Sequence, residues 1–261
     1  VPTHPIGIQL ASLAAPLRRG LALASQLGAD GVEIDLRTGL PAGDVSQTAA
    51  RELRKLLADQ NLKVSAAAFP TRRSLADPEE LDRRIAALRE ATRAAARLGA
   101  RVLVVRAGRI PSEDESDARQ TLIHSLTAIA STGDREGVVI ALETGHESPA
   151  DLATLLDELP MGLVGADLHP ARLLSGGHAP LEAAGALGPR IVHVHAADAV
   201  HDFAERRVVE VELGRGAVDF PEIVGALEQF DYRGWITIER RHATRPVEEI
   251  GDAVAFLRSL H

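Results

Sequence analysis

Cysteine is absent from the 261 residues, which removes disulfides and thiolate chemistry together and makes a reducing cytoplasm the default compartment. Aromatic residues are scarce at 3%, too few for the stacking platforms that grip single-stranded nucleic acid. No Lys/Arg cluster stands out and the formal net charge is -8, so the basic footprint of a nucleic-acid binder is missing. No apolar run is long enough to span a bilayer and no signal-peptide pattern opens the chain, so neither a membrane nor secretion is expected. What is present is an ordinary globular balance, 45% hydrophobic and 25% charged.

Short β-rich runs recur along the chain, each followed by a helical stretch: 6–10, 31–36, 63–69, 101–107, 138–144, 162–168, 191–198 and 235–241. Most are near-continuous apolar runs, as expected for strands buried on both faces of a parallel sheet. The stretches between them, such as "PLRRGLALASQLG" and "PEELDRRIAALREATRAAARLG", repeat apolar residues at three and four and close on glycine. Eight such units of about 33 residues predict a closed (β/α)8 barrel. A doubly wound open sheet would carry a glycine-rich phosphate turn after the first strand, and "QLASLAAPL" has none. No linker or composition shift divides the chain, so residues 1–261 read as one barrel domain. The connection 199–217 is unusually long, and loops of that length are often functional lids.

Polar side chains gather at the C-terminal ends of the runs: Glu33 and Asp35, Arg106, Glu143, Asp167 and His169, then His193, His195 and Asp198, and finally Glu239 and Arg241. In a (β/α)8 barrel that end is the catalytic face. Within "IVHVHAAD", His193 and His195 share a strand face, and imidazoles on a buried face cost free energy unless their nitrogens are satisfied. Taken singly, each residue is equally a salt-bridge partner or a hydrogen-bonded core group. Their convergence points to chemistry. Carboxylates and imidazoles without thiolates suit one divalent ion such as Mn²⁺, Zn²⁺, Co²⁺ or Mg²⁺.

The segments "VVIALETGHESPADLATLLDEL", "HPARLLSGGHAPLEAAGALGPRIVHVHAADA" and "LGRGAVDFPEIVGALEQFDYRGWITIERR" resemble the xylose isomerase-like barrels of the sugar phosphate isomerase/epimerase superfamily. The resemblance runs through nearly the whole chain and is strongest from residue 138. It implies one divalent ion held by a glutamate on the fifth strand, an aspartate after the sixth, a histidine on the seventh and a glutamate on the eighth. By position, Glu143, His195 and Glu239 match directly, with His195 preferred to His193 as nearer the strand's C-terminal end. The sixth-strand position departs from the pattern, since relatives commonly read Asp-Pro-Ala where this chain reads "DLHPARL". Either His169 is the fourth ligand, or Asp167 is, or the site has lost its metal; the first is preferred. Arg172 stands where many relatives carry asparagine or histidine, and a cation there favours an anionic substrate.

The implied activity is isomerisation or epimerisation of a small sugar, polyol or sugar phosphate through an enediolate, with Glu143 and Glu239 as catalytic acid and base on opposite sides of the ion. A dehydratase on the same metal site, or a metal-free non-catalytic relative, is the alternative. Arg106, Arg172, Asp198 and Arg241 are the candidate substrate-binding residues, with Arg206 or Arg207 reaching in from the long loop. Glu147 is read as the cap of the helix that follows it. A carbohydrate-like small molecule is the expected partner, nucleic acid and membrane are not, and homo-oligomer formation is left open.

Overall fold

The structure is a computed structural model and describes residues 4–112, 114–202, 204–205 and 207–260. Among the described residues ten strands form: β1 (Ile6–Gln9), β2 (Gly31–Asp35), β3 (Lys63–Phe69), β4 (Val102–Val105), β5 (Val139–Glu143), β6 (Val164–Leu168), β7 (Ile191–Ala196), β8 (Asp198–Asp202), β9 (Arg207–Val211) and β10 (Ile236–Ile238). Eight of them close a parallel barrel in the order β1-β10-β7-β6-β5-β4-β3-β2, while β8 and β9 pair only with each other. The helices are α1 (Leu17–Gln26), α2 (Gln47–Asp59), α3 (Leu81–Leu98), α4 (Ser116–Glu136), α5 (Pro149–Asp157), α6 (Pro170–Ser175), α7 (Pro180–Leu187), α8 (Phe220–Gln229) and α9 (Pro246–Ser259). None is long and apolar enough to cross a membrane among the described residues.

The expected (β/α)8 barrel is therefore what forms, and strand alternation explains how it packs. Ile6 and Ile8, Val32 and Ile34, Leu103 and Val105, and Ile140 and Leu142 face outward into one large core with the helices. The lumen takes small residues instead: Ala66, Val102, Val104 and Ala141 cluster there. In the same interior, a Cβ on Gly7 would lie 2.7 Å from both Ser65 Oγ and Thr237 Oγ1. Helix ends follow their local chemistry. Gly99 closes α3 in the left-handed region (φ 90°), and Ser46 accepts from the Ala49 amide at the start of α2.

Three expectations about local structure are corrected. The seventh run does not continue through Asp198, and the long connection is no irregular lid. After Ala196 the chain turns into the antiparallel β8–β9 hairpin, with Asp198 opposite Val211 and Asp202 opposite Arg207. One face of the ribbon is covered. That face rests on α6, where Ala171 and Leu174 meet Ala199 and Val208. The cap before α5 is Ser148, whose Oγ accepts from the Asp151 amide, and not Glu147.

Candidate active site

At the C-terminal mouth of the barrel, Glu143 ends β5, Glu239 follows β10 and His169 lies between β6 and α6. The His169 amide donates to Thr144 Oγ1 (2.8 Å), which fixes the backbone where the chain leaves the barrel. Its Nε2 lies 3.4 Å from Glu239 Oε1 and 3.9 Å from Glu143 Oε1. One donor atom from each of these three residues lies within 4.8 Å of the others. His169 and Glu239 are buried, and the Glu143 side chain is only 6% exposed. A chamber of about 230 Å³ opens above them, lined among others by Gln9, Glu33, His195 and Arg241.

His195 stands beside this triplet and is engaged elsewhere. Its Nδ1 is 2.7 Å from Asp167 Oδ2 and its Nε2 is 2.8 Å from Glu33 Oε2, with Glu239 Oε2 farther off at 3.9 Å. The sequence reading set His195 among the ligands with Asp167 as the rival to His169. The structure joins Asp167 and His195 to each other instead. Burial works against a charge on His195, but Asp167 and Glu33 on either side hold its pKa well above the ordinary value, so the ring donates to both. His193, edge-on to it, is pushed down to about 3 by burial and by the neighbouring His195. Neither of its ring nitrogens has a hydrogen-bond partner among the described residues, although Nε2 lies 3.8 Å from Glu33 Oε2.

Gln9 is the site residue that sequence reasoning passed over, and Glu33, named at a strand end, was given no role. Gln9 Nε2 donates to Glu33 Oε1 (2.9 Å) and to Glu239 Oε2 (2.6 Å), while its Oε1 accepts from Ser12 Oγ (3.2 Å). A continuous chain of polar contacts thus runs Asp167–His195–Glu33–Gln9–Glu239. The signal for Gln9 was present: it is the one polar side chain in "IGIQ", at the strand end that faces the pocket.

Three of the four candidate substrate-binding residues are in the pocket. Arg106 Nε lies 2.5 Å from Glu143 Oε2, Arg172 Nε lies 2.5 Å from Glu143 Oε1, and Arg241 Nε lies 2.6 Å from Glu239 Oε1. Burial opposes ionisation of Glu143, yet His169, Arg172 and Arg106 outweigh it and hold its carboxyl below the usual range. Glu239 is held well below that range against the same burial, by His169, His195 and Arg241. Both glutamates are therefore carboxylates at neutral pH.

Asp198 is the exception. Its Oδ1 accepts from the amides of Ala199 (2.8 Å) and Val218 (3.1 Å), and its Oδ2 from those of Gly214 (3.0 Å) and Gly216 (2.8 Å). A buried carboxylate with four backbone donors is fully occupied in folding the segment after β9. Arg207 lies on the hairpin, 4.0 Å from Asp202 and largely exposed, and Arg206 lies outside the described residues. Among the described residues, none of the hairpin lines the chamber above Glu143 and Glu239.

Glu143, His169 and Glu239 suit a divalent ion: two carboxylates and one imidazole form a mixed oxygen/nitrogen donor set. The His169 ring also sits at the start of α6, with Nδ1 a long 3.4 Å from the Arg172 amide. That amide already has the His169 carbonyl at 3.1 Å, so the ring contact is dispensable and either tautomer is compatible with the helix start. The arginines leave each Glu143 oxygen a second lone pair, while on Glu239 Oε2 is taken by Gln9 and Arg241 and Oε1 keeps the lone pair on the side of His169.

Residues 21–260 match the family model described as the xylose isomerase-like TIM barrel. No curated protein sequence matches the chain. Among solved structures, a xylose isomerase domain protein from Planctomyces limnophilus superposes with a TM-score of 0.86 at 22% identity, covering 99% of this chain and 97% of the other. A D-allulose 3-epimerase from Methylomonas sp., solved in complex with D-allulose, gives 0.78 at 21% identity over 100% and 98%. A probable 3-DHS dehydratase from Bacillus anthracis gives 0.77 at 18% identity over 97% and 98%. At these identities the likeness carries the fold, and the family model carries membership: the chain belongs to the xylose isomerase-like TIM barrel family.

Proposed function

We propose that this barrel is a divalent-metal-dependent isomerase or epimerase that moves a proton beside the carbonyl of a small polyhydroxylated substrate. The observation that carries the reading is the triplet Glu143, His169 and Glu239, brought together beside a chamber at the barrel mouth that both glutamates line. These three residues would hold the ion, with His195 as the adjacent imidazole. When bound, the ion supplies Lewis acidity that polarises a carbonyl and its neighbouring hydroxyl. Glu143 and Glu239 come from non-adjacent strands, β5 and β10, and stand on different sides of His169. Both are ionised at neutral pH, as a base must be. One carboxylate takes the proton from carbon; return to the same face of the neighbouring carbon comes from that same group, now an acid, and return to the opposite face comes from the other glutamate after it has taken a proton from solvent.

The narrow chamber and the buried site limit water access, which protects an enediolate from side reactions. A neighbouring structure described as a D-allulose 3-epimerase in complex with D-allulose supports a sugar-like substrate. Incubation of the metal-loaded protein with ketoses, ketose phosphates and keto-inositols in deuterated water tests the reading. Deuterium should enter at the carbon beside the carbonyl, and loss of a hydroxyl from the product would redirect the reading to a dehydratase. Metal-loaded protein that exchanges no such proton across the panel refutes it.

A further inference from the structure

Glu143 uses only one edge of each of its two arginines. Both ion pairs run through Nε, and no Nη group of Arg106 or Arg172 has a hydrogen-bond partner among the described residues. Arg106 Nη2 is buried without one. Arg241 differs, since it reaches Glu239 with Nε (2.6 Å) and also with Nη2 (3.3 Å). Guanidinium groups held in place with their donor forks free are an acceptor-binding arrangement that awaits an acceptor.

Both arginines line a second chamber of about 110 Å³ that continues from the first past Glu143. Gly108 and Gly145 form part of its walls, and Glu147 stands at the side that it shares with a wider outer cavity. Glu147 is half-buried and has no partner among the described residues. The chamber thus combines the unpartnered Nη groups of Arg172 and Nη1 of Arg106, with Arg106 Nη2 buried behind it, and one free acceptor. A terminal α-hydroxy carboxylate has the complementary set: a planar anion to accept from the forks and a hydroxyl to donate to Glu147. A phosphate dianion fits less well, because Glu143 and Glu147 would both face its second charge.

We infer that the substrate is a sugar acid, whose carboxylate binds between Arg106 and Arg172 while its adjacent hydroxyl donates to Glu147. This rests on the proposed polyhydroxylated substrate and adds its anionic end. The polyol chain then extends past Glu143 toward the chamber over His169 and Glu239.

Binding of unreactive probes separates this inference from the reaction itself. D-gluconate, D-glucitol and D-glucitol 6-phosphate are titrated calorimetrically into the protein, with and without a chelator. Gluconate should bind at least about tenfold tighter than glucitol, the effect of one charge-assisted bond. Arg172→Gln and Arg106→Gln should each remove that preference, read as the ratio of gluconate to glucitol affinity within one variant, whereas the exposed-pair control Arg215→Gln should keep it. If either glutamine variant fails to fold by circular dichroism, Arg172→Lys retains the charge without the planar fork and should still weaken gluconate binding. Gluconate binding no tighter than glucitol overturns the inference, as does absence of binding by both. A phosphate that binds tighter than the carboxylate also overturns it, and so does a preference that disappears with chelator. Failure of proton exchange would leave the gluconate preference standing, and exchange on neutral ketoses would survive failure of the preference.

Discussion

Replacing Asp198 by alanine should unfold the protein more easily without touching the pocket. The carboxylate is 1% exposed and accepts four backbone amides, three of them 16 to 20 residues away. Ala199 lies next in the chain and its amide is the least costly to release. Of the three distant amides, Val218 N–H is buried and loses its partner outright, while those of Gly214 and Gly216 are part-buried and regain some of their loss from water. At about 1 kcal/mol for each distant bond, the change costs about 3 kcal/mol. In a chain of this length that lowers the melting temperature by about 6–12 °C. Asp198→Asn should cost nearly as much, because only one oxygen remains and the new amide hydrogens face existing donors. Differential scanning calorimetry gives the shift, and titration with gluconate on the folded protein below the transition gives the binding. A melting temperature within about 2 °C of the parent together with weakened ligand binding would refute the structural assignment.

Glu143→Gln and Glu239→Gln should each lower retained metal after desalting, by at least the about 10–100-fold affinity loss that follows removal of outer partners; elemental analysis showing equal metal in both variants and the parent contradicts the ligand set. In metal-stripped protein the depressed pKa values of Glu143 and Glu239 contribute stability that is complete above the ordinary value of 4.5 and is lost as pH falls through their folded values. Urea midpoints should therefore drop below about pH 4.5, and less steeply in Glu239→Gln. The raised pKa of His195 has the opposite sign: its contribution is complete below 6.5 and is lost as pH rises through the folded value. Nitrogen NMR should show both ring nitrogens of His195 protonated at neutral pH, and a neutral ring there would contradict the assignment. Gly7→Ala should cost about 1–3 kcal/mol, because its Cβ would lie 2.7 Å from two hydroxyl oxygens inside the barrel; unchanged urea unfolding would show that the lumen has room to spare.

The barrel was legible because a parallel sheet buried on both faces leaves a periodic trace, and "VVIALET" or "RVLVVRA" can hardly be read otherwise. The strand ends were legible less accurately. Arg106, Thr144 and Glu239 follow the apolar runs without a break, yet their chains leave the sheet so that polar groups can meet in the mouth. The hairpin at β8–β9 was hidden because its strands alternate weakly and pair with nothing but each other. Asp198 misled for a related reason: strand-end position alone does not say whether a carboxylate faces a cavity or a ring of amides. The partners of His195 were unreadable in principle, since Asp167 and Glu33 lie 28 and 162 residues away. The convergence of Glu143, His169 and Glu239 followed from topology, whereas which atoms each arginine would spend on them did not.

The polar chain from Asp167 through His195, Glu33 and Gln9 to Glu239 links β6, β7, β2, β1 and the segment after β10, five of the eight staves of the barrel. Each member is held by the next, so no single position can be retuned without leaving a buried group unmatched. Substitutions within this chain will therefore be strongly epistatic, with individually damaging changes at Gln9 and Glu33 becoming tolerable only in matched pairs. Libraries that vary one position at a time will find mostly losses there. New specificity should be reached more readily from Arg106, Arg172 and Glu147, which line the second chamber outside that polar chain.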